Sequence, residues 1–197
     1  MGRIDTETMT DIVKSWEWGN SGDPEVYIDT QTRVQGLSFR SNLARLTETL
    51  IGENKLSEAK EILDIGMKNM PLKGFDYYNF VVPFIEGYYA VGAPEEARGI
   101  FQELKNIYQD HLNYYAAMDI TDQYNSIQNI IENLEGYRRI LDVLSIGDSP
   151  EITQEERLEF EVFMDKFSHF YEGAEEENNR FEAAHSNETI LLDSLLE

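Results

Sequence analysis

Few side chains in this sequence are suited to chemistry. Three histidines, His111, His169 and His185, are the only imidazoles, and none stands at a metal-binding spacing such as two histidines four apart on one helix face. No cysteine is present, which excludes disulfides, thiolate metal sites and cysteine nucleophiles. The run Glu175-Glu176-Glu177-Asn178-Asn179 has oxygen donors but lacks the alternation and the glycine of an EF-hand loop, so it reads as a solvated charge run. No glycine-rich phosphate loop, nucleophile elbow or kinase signature occurs. The sequence therefore predicts no catalytic residue, no cofactor and no metal. Three tyrosine pairs remain: Tyr77-Tyr78, Tyr88-Tyr89 and Tyr114-Tyr115. Their rings could stack on a sugar or a peptide. Adjacent helical residues point roughly 100° apart, so one ring of each pair is expected in the core.

Charge narrows the partners. The chain has 38 acidic against 16 basic residues, a formal net charge of -22. Such a field repels phosphate backbones and anionic lipid, which argues against nucleic acid and against peripheral membrane docking. No apolar run approaches the ~18 residues a spanning helix needs. Residues 1–7 show neither a basic nor an apolar signal-peptide region, so any export signal would lie outside this chain.

The elements that must position any site are helical. Met9, Ile12, Val13 and Trp16 predict a short helix over 5–18, broken by Gly19-Asn20-Ser21-Gly22-Asp23-Pro24. Trp16 and Trp18 beside that turn suggest a flap packed on the main body. Val26 to Asp29 is too short to assign. Phe39, Leu43, Leu46 and Leu50 form one helical face, ended by Gly52-Glu53-Asn54. Leu56, Ala59, Ile62, Leu63, Gly66, Met67 and Met70 form a second, stopped by Pro71. So short a connection makes the two helices antiparallel.

This pattern recurs 38 residues later: Val81, Phe84 and Tyr88 echo Leu43, Leu46 and Leu50, Gly92 echoes Asn54, and Ala97, Ile100 and Phe101 echo Ala59, Ile62 and Leu63. A fixed-period helix–turn–helix resembles the tetratricopeptide repeat, whose unit of about 34 residues would here carry a connection longer by about four around Lys73-Gly74-Phe75-Asp76. The second unit has Gln109 where the first has Pro71, and Thr47 and Ile85 stand where the family places glycine. Pro83 falls within the first helix of the second unit and should kink it or mark its start. Beyond Asp110 the repeat fades. Asp119 to Asp122 reads as a helix restart, and Ile127, Ile130, Ile131, Leu134, Tyr137, Leu141 and Leu144 form a long stripe ended at Gly147 to Pro150. Thr153 with Glu156 suggests a capping box, followed by the apolar face Phe160, Phe163, Met164, Phe167, Phe170 and Tyr171.

The predicted fold is all-α: antiparallel helical hairpins in a right-handed tetratricopeptide-like array of about two repeats, with extra flanking helices. Residues 1–35 form the N-terminal helix and flap, 36–110 the two hairpins, 111–172 two capping helices, and 173–197 an acidic tail with an apolar end at Ile190-Leu191-Leu192 and Leu195-Leu196. The repeat resemblance implies a groove lined by the outward face of the first helices. That face is Ser41, Ala44, Glu48 and Ile51 in the first unit, and Asn79, Val82, Glu86 and Tyr89 in the second. The family's clamp for a C-terminal carboxylate needs lysine, arginine and asparagine there; two glutamates replace them, so a basic or neutral partner is expected.

A second resemblance rests on Gly2-Arg3-Ile4-Asp5-Thr6, on Trp18-Gly19-Asn20 with Asp23 to Asp29, and on Asn42-Leu43-Ala44-Arg45-Leu46 with Met70-Pro71. Together these resemble the C-terminal soluble region of Bacteroidetes multi-spanning membrane proteins described as protein O-mannosyltransferase-like. The similarity covers most of residues 1–172. It implies a non-catalytic accessory domain on the periplasmic side of the inner membrane. The domain would be attached to a glycosyltransferase-like membrane part that carries the catalytic aspartates, and would recognise a peptide, protein or glycan. The alternative is a free-standing cytoplasmic scaffold binding a protein through the same repeats.

Overall fold

The computed structural model describes residues 4–170, and among these the secondary structure is helical with no strand. The calls on His185, on the acidic run from Glu175 and on the apolar end of the chain lie outside the described residues.

Helix α1 (Thr6–Lys14) begins at Asp5, whose side chain accepts the Thr8 amide at 3.1 Å. It ends four residues short of the span the apolar spacing suggests, at Ser15. The following loop is pinned to the body at several points. Trp16, Trp18 and Phe39 pack edge to face, 5.2–6.0 Å apart. The Ser21 hydroxyl donates to the Asn69 carbonyl at 2.8 Å, and Gly22 lies so close to the Lys68 carbonyl that a side chain would collide with it.

Asp29 caps α2 (Thr30–Gly52), accepting from the amides of Gln31 and Thr32, so this helix starts well upstream of its apolar stripe. α3 (Leu56–Asn69) returns against it, and Leu43, Leu46, Leu50, Ala59, Ile62 and Leu63 are fully buried between them. Gly66 permits the close approach of Leu43 and Phe84, since a Cβ there would press into the Phe84 ring.

The connection to the second hairpin is a single turn, α4 (Leu72–Phe75), then Asp76 and Tyr77 at positive φ, then a 3-10 turn over Tyr78–Phe80. α5 (Val82–Ala90) follows with Pro83 in its first turn, so Pro83 marks the start of this helix and does not kink it. α6 (Pro94–Ala116) packs back on α5 and runs past residue 110, the expected end of the second hairpin.

The two hairpin turns have the same backbone geometry. Asn54 has φ 60° and Gly92 φ 76°. Lys55 N–H bonds to Leu50 O at 2.9 Å, and Ala93 N–H to Tyr88 O at 2.8 Å. This is a left-handed helix cap closed by a six-to-one hydrogen bond, made twice with a 38-residue offset.

After a short α7 (Ile120–Asn125), capped by Asp119, α8 (Ile127–Gly147) packs on α6 and α5, and α9 (Pro150–Lys166) packs on α8. Tyr137, fully buried, lies at the centre of this half, 5.0 Å from the Phe160 ring and 6.4 Å from Tyr108. The expected capping box is corrected: α9 starts earlier, at Ser149, whose hydroxyl faces the Ile152 amide. Thr153 instead donates to the Ser149 carbonyl, and Glu156 is buried in an ion pair with Lys105.

Candidate functional site

A cleft of about 690 Å³ opens between α2 and α5. α2 contributes Ser41, Ala44, Arg45, Thr47, Glu48 and Ile51, one stripe of a continuous helix. The opposite wall is Asn79 and Phe80 from the 3-10 turn, then Pro83, Glu86, Gly87 and Ala90 from α5. Ser41, Ala44, Glu48, Ile51, Asn79 and Glu86, singled out in the sequence, therefore share one concave surface.

Val82 and Tyr89 do not reach it. Val82 is 5% exposed, in the core. Tyr89, seven residues on and so on the same side of α5, rests on Gly147 of α8, and its hydroxyl donates to Asp148 at 2.9 Å. α8 covers this flank of α5, so Pro83 and Ala90 line the cleft in their place.

The cleft is electrostatically unfinished. Glu48 and Glu86 are exposed, one on each wall, and neither has an ion pair or hydrogen bond among the described residues. At its base Thr47 is only 2% exposed, yet its hydroxyl oxygen has no partner. Arg45 sits on the rim and also borders a smaller cleft between α1 and α2.

Three buried polar groups elsewhere are, by contrast, satisfied within the fold. Arg40 is 1% exposed and spends its guanidinium on main-chain carbonyls: Asp76 O at 2.6 Å and Met70 O at 3.0 Å. Burial lowers its pKa to about 10, against the opposing pull of Asp76, so it stays charged. With Arg33 bonded to the Asp76 carboxylate at 2.7 Å, it fixes the long connection between the hairpins. Lys105 pairs with Glu156 at 2.7 Å and Glu159 at 3.2 Å; burial works to lower its pKa, but the two carboxylates outweigh it and raise it. Asp148 is held by Arg98, Tyr89 and the Ser149 amide, with Arg98 the main cause of its lowered pKa. Burial, then the bond to Asp148, raises the Tyr89 pKa, so that phenol keeps its proton.

Signals for these groups exist in the sequence. Arg40 continues the spacing Leu43, Thr47, Leu50 backwards, and Lys105 and Glu156 each interrupt an apolar face at a core position. Opposite charges at core positions of two stripes are the pattern that would have found the second.

The remaining candidates are dispersed. His111 is exposed, its Nδ1 2.9 Å from the Asn133 side-chain oxygen. His169 packs beside Phe170, ring centroids 4.1 Å apart. Of the tyrosine pairs, Tyr88 is buried and donates to Asp64 at 2.9 Å, while Tyr77 and Tyr114 are exposed. Among the described residues no group of acidic and histidine side chains is arranged to hold a metal ion, and no helix is long and apolar enough to cross a membrane.

Comparison of this chain with protein families, with curated proteins and with solved structures finds no match.

Proposed function

We propose that this chain is a non-catalytic binding and assembly module. Its two hairpins act as a tetratricopeptide-like pair and receive a partner segment in the cleft between α2 and α5. One observation carries the reading: the cleft is walled by the first helix of each hairpin, the surface such repeats use for recognition. The repeated left-handed turn at Asn54 and Gly92 supports the repeat assignment. A binding role is further supported by Glu48 and Glu86, which line the cleft without an ion pair or hydrogen bond among the described residues. The resemblance to the O-mannosyltransferase-like membrane family supports placing the module beside a membrane-embedded enzyme on its periplasmic face, as its recognition element.

The test is an array of peptides and glycans probed with the full chain and with Ala90→Trp. Ala90 is exposed on the cleft wall, so a bulky ring there obstructs the cleft and leaves the core intact. Binding by the wild type that is lost in Ala90→Trp, at an unchanged unfolding temperature, supports the reading. Binding indifferent to this substitution overturns it.

A further inference from the structure

We infer that the cleft between α2 and α5 selects a basic side chain, lysine or arginine, of an extended peptide, seated between Glu48 and Glu86. This rests on the cleft being the recognition surface.

The first support is unspent negative charge. Glu53, Glu61, Asp64, Asp76, Glu95, Glu96, Asp148, Glu156 and Glu159 each lie within ion-pair distance of a lysine or arginine. Glu48 and Glu86, like many exposed acids of this chain, do not; they differ in lining opposite walls of one concavity, where solvent screening is weaker than on an open helix face. The second is the Thr47 hydroxyl, buried under the same cleft without a partner. Its oxygen is closed to solvent, so an incoming N–H donor reaches it only if the α2 and α5 walls part on binding.

The third support is shape. Ala44, Gly87 and Ala90 leave the walls low, while Ile51, Phe80 and Pro83 present apolar surface. That is the lining a long methylene stem prefers while its charged head reaches a carboxylate. Arg45 opposes with one positive charge, but two carboxylates face it, and the field of a chain with net charge -22 also draws cations.

The experiment is an amide chemical-shift titration of the full chain with capped pentapeptides of alanine. Their central residue is lysine, arginine, acetyl-lysine, citrulline or glutamate. The lysine and arginine peptides are expected to shift the amides of Thr47, Glu48 and Glu86 saturably. The neutral counterparts should bind roughly tenfold more weakly, and Glu48→Gln/Glu86→Gln should erase that difference. Equal affinity for charged and neutral peptides overturns the assignment, as does no saturable shift at all. Tighter binding of the glutamate peptide would make Arg45 the anchor and also overturn it. So would concentration-dependent shifts at these amides without peptide, which would mean a second copy fills the cleft. Ala90→Trp separates the two levels. If every peptide still binds that variant, the cleft is not the recognition surface; if binding is lost but charge-blind, only the cation assignment fails.

Discussion

Arg98 holds Asp148 at two points, Nε donating to Oδ2 at 2.6 Å and Nη2 to Oδ1 at 2.8 Å, which ties the second turn of α6 to the residue that ends α8. The Tyr89 hydroxyl and the Ser149 amide complete the carboxylate's shell at 2.9 and 2.8 Å, and the Asp148 side chain is 3% exposed. Asp148→Ala is expected to lower the unfolding free energy by about 2–3 kcal/mol, since it deprives three donors at once, one of them charged. Urea denaturation of the full chain measures this.

The same group sets part of the acid response. Its folded pKa is lowered from the ordinary 3.8, chiefly by the bond from Arg98, so its contribution to stability is present above that value and is lost as pH falls below it. Wild-type stability should therefore fall more steeply below about pH 4 than that of Asp148→Ala. Equal slopes for the two proteins would show that the carboxylate is not preferentially charged in the fold.

Lys105 and Glu156 form a buried pair linking α6 to α9, with Gln102 also donating to Glu156 at 2.7 Å. Lys105→Met leaves Glu156 buried without its cation and should cost about 3 kcal/mol, whereas Lys105→Met/Glu156→Leu should recover most of that loss. A double-mutant cycle by chemical denaturation decides it; a double variant no more stable than the single would contradict the pairing.

Arg40 supplies donors to the carbonyls that end α3 and its connection, Met70 O and Asp76 O. Lysine offers a single point of attachment, so Arg40→Lys is expected to lose about 2 kcal/mol. Amide exchange should accelerate first over residues 70–77, ahead of α2 itself.

At the two hairpin turns the sign of substitution should invert. Asn54→Gly relieves a side chain held at φ 60° and is expected to be neutral or stabilising by up to about 1 kcal/mol. Gly92→Ala places a Cβ at φ 76° with no neighbour within 4 Å, so its cost, about 1 kcal/mol, is purely conformational. Thermal unfolding of both variants provides the comparison.

The hairpins were legible because their signals are local. An apolar spacing over three turns, a proline after Met70 and a turn residue at 54 or 92 act within a few residues, and the helices follow them closely. The start of α2 was less legible, because Asp29 caps it before any apolar stripe begins. The apparent capping box at Thr153 misled for a related reason. Thr153 and Glu156 have the right spacing, but Ser149 with Pro150 starts the helix a turn earlier, and Glu156 is drawn to Lys105, 51 residues away.

By itself the sequence determined the helical class, the two hairpin turns with their 38-residue offset, and the α2 face that bears Ser41, Glu48 and Ile51. Helical periodicity and left-handed caps depend on neighbours along the chain, so they are written in residue order. Only the tertiary structure decided which face of α5 stays open. Tyr89 answers to Asp148, 59 residues away, and Val82 is buried on the same flank, where α8 packs. The outward positions of the first hairpin could not be carried unchanged onto the second, because a helix with a neighbour on one side opens a different stripe from one without. Arg40 shows the same limit. Its spacing marks it as inward-facing, but only the long connection folding over it supplies the carbonyls that make a buried guanidinium tolerable.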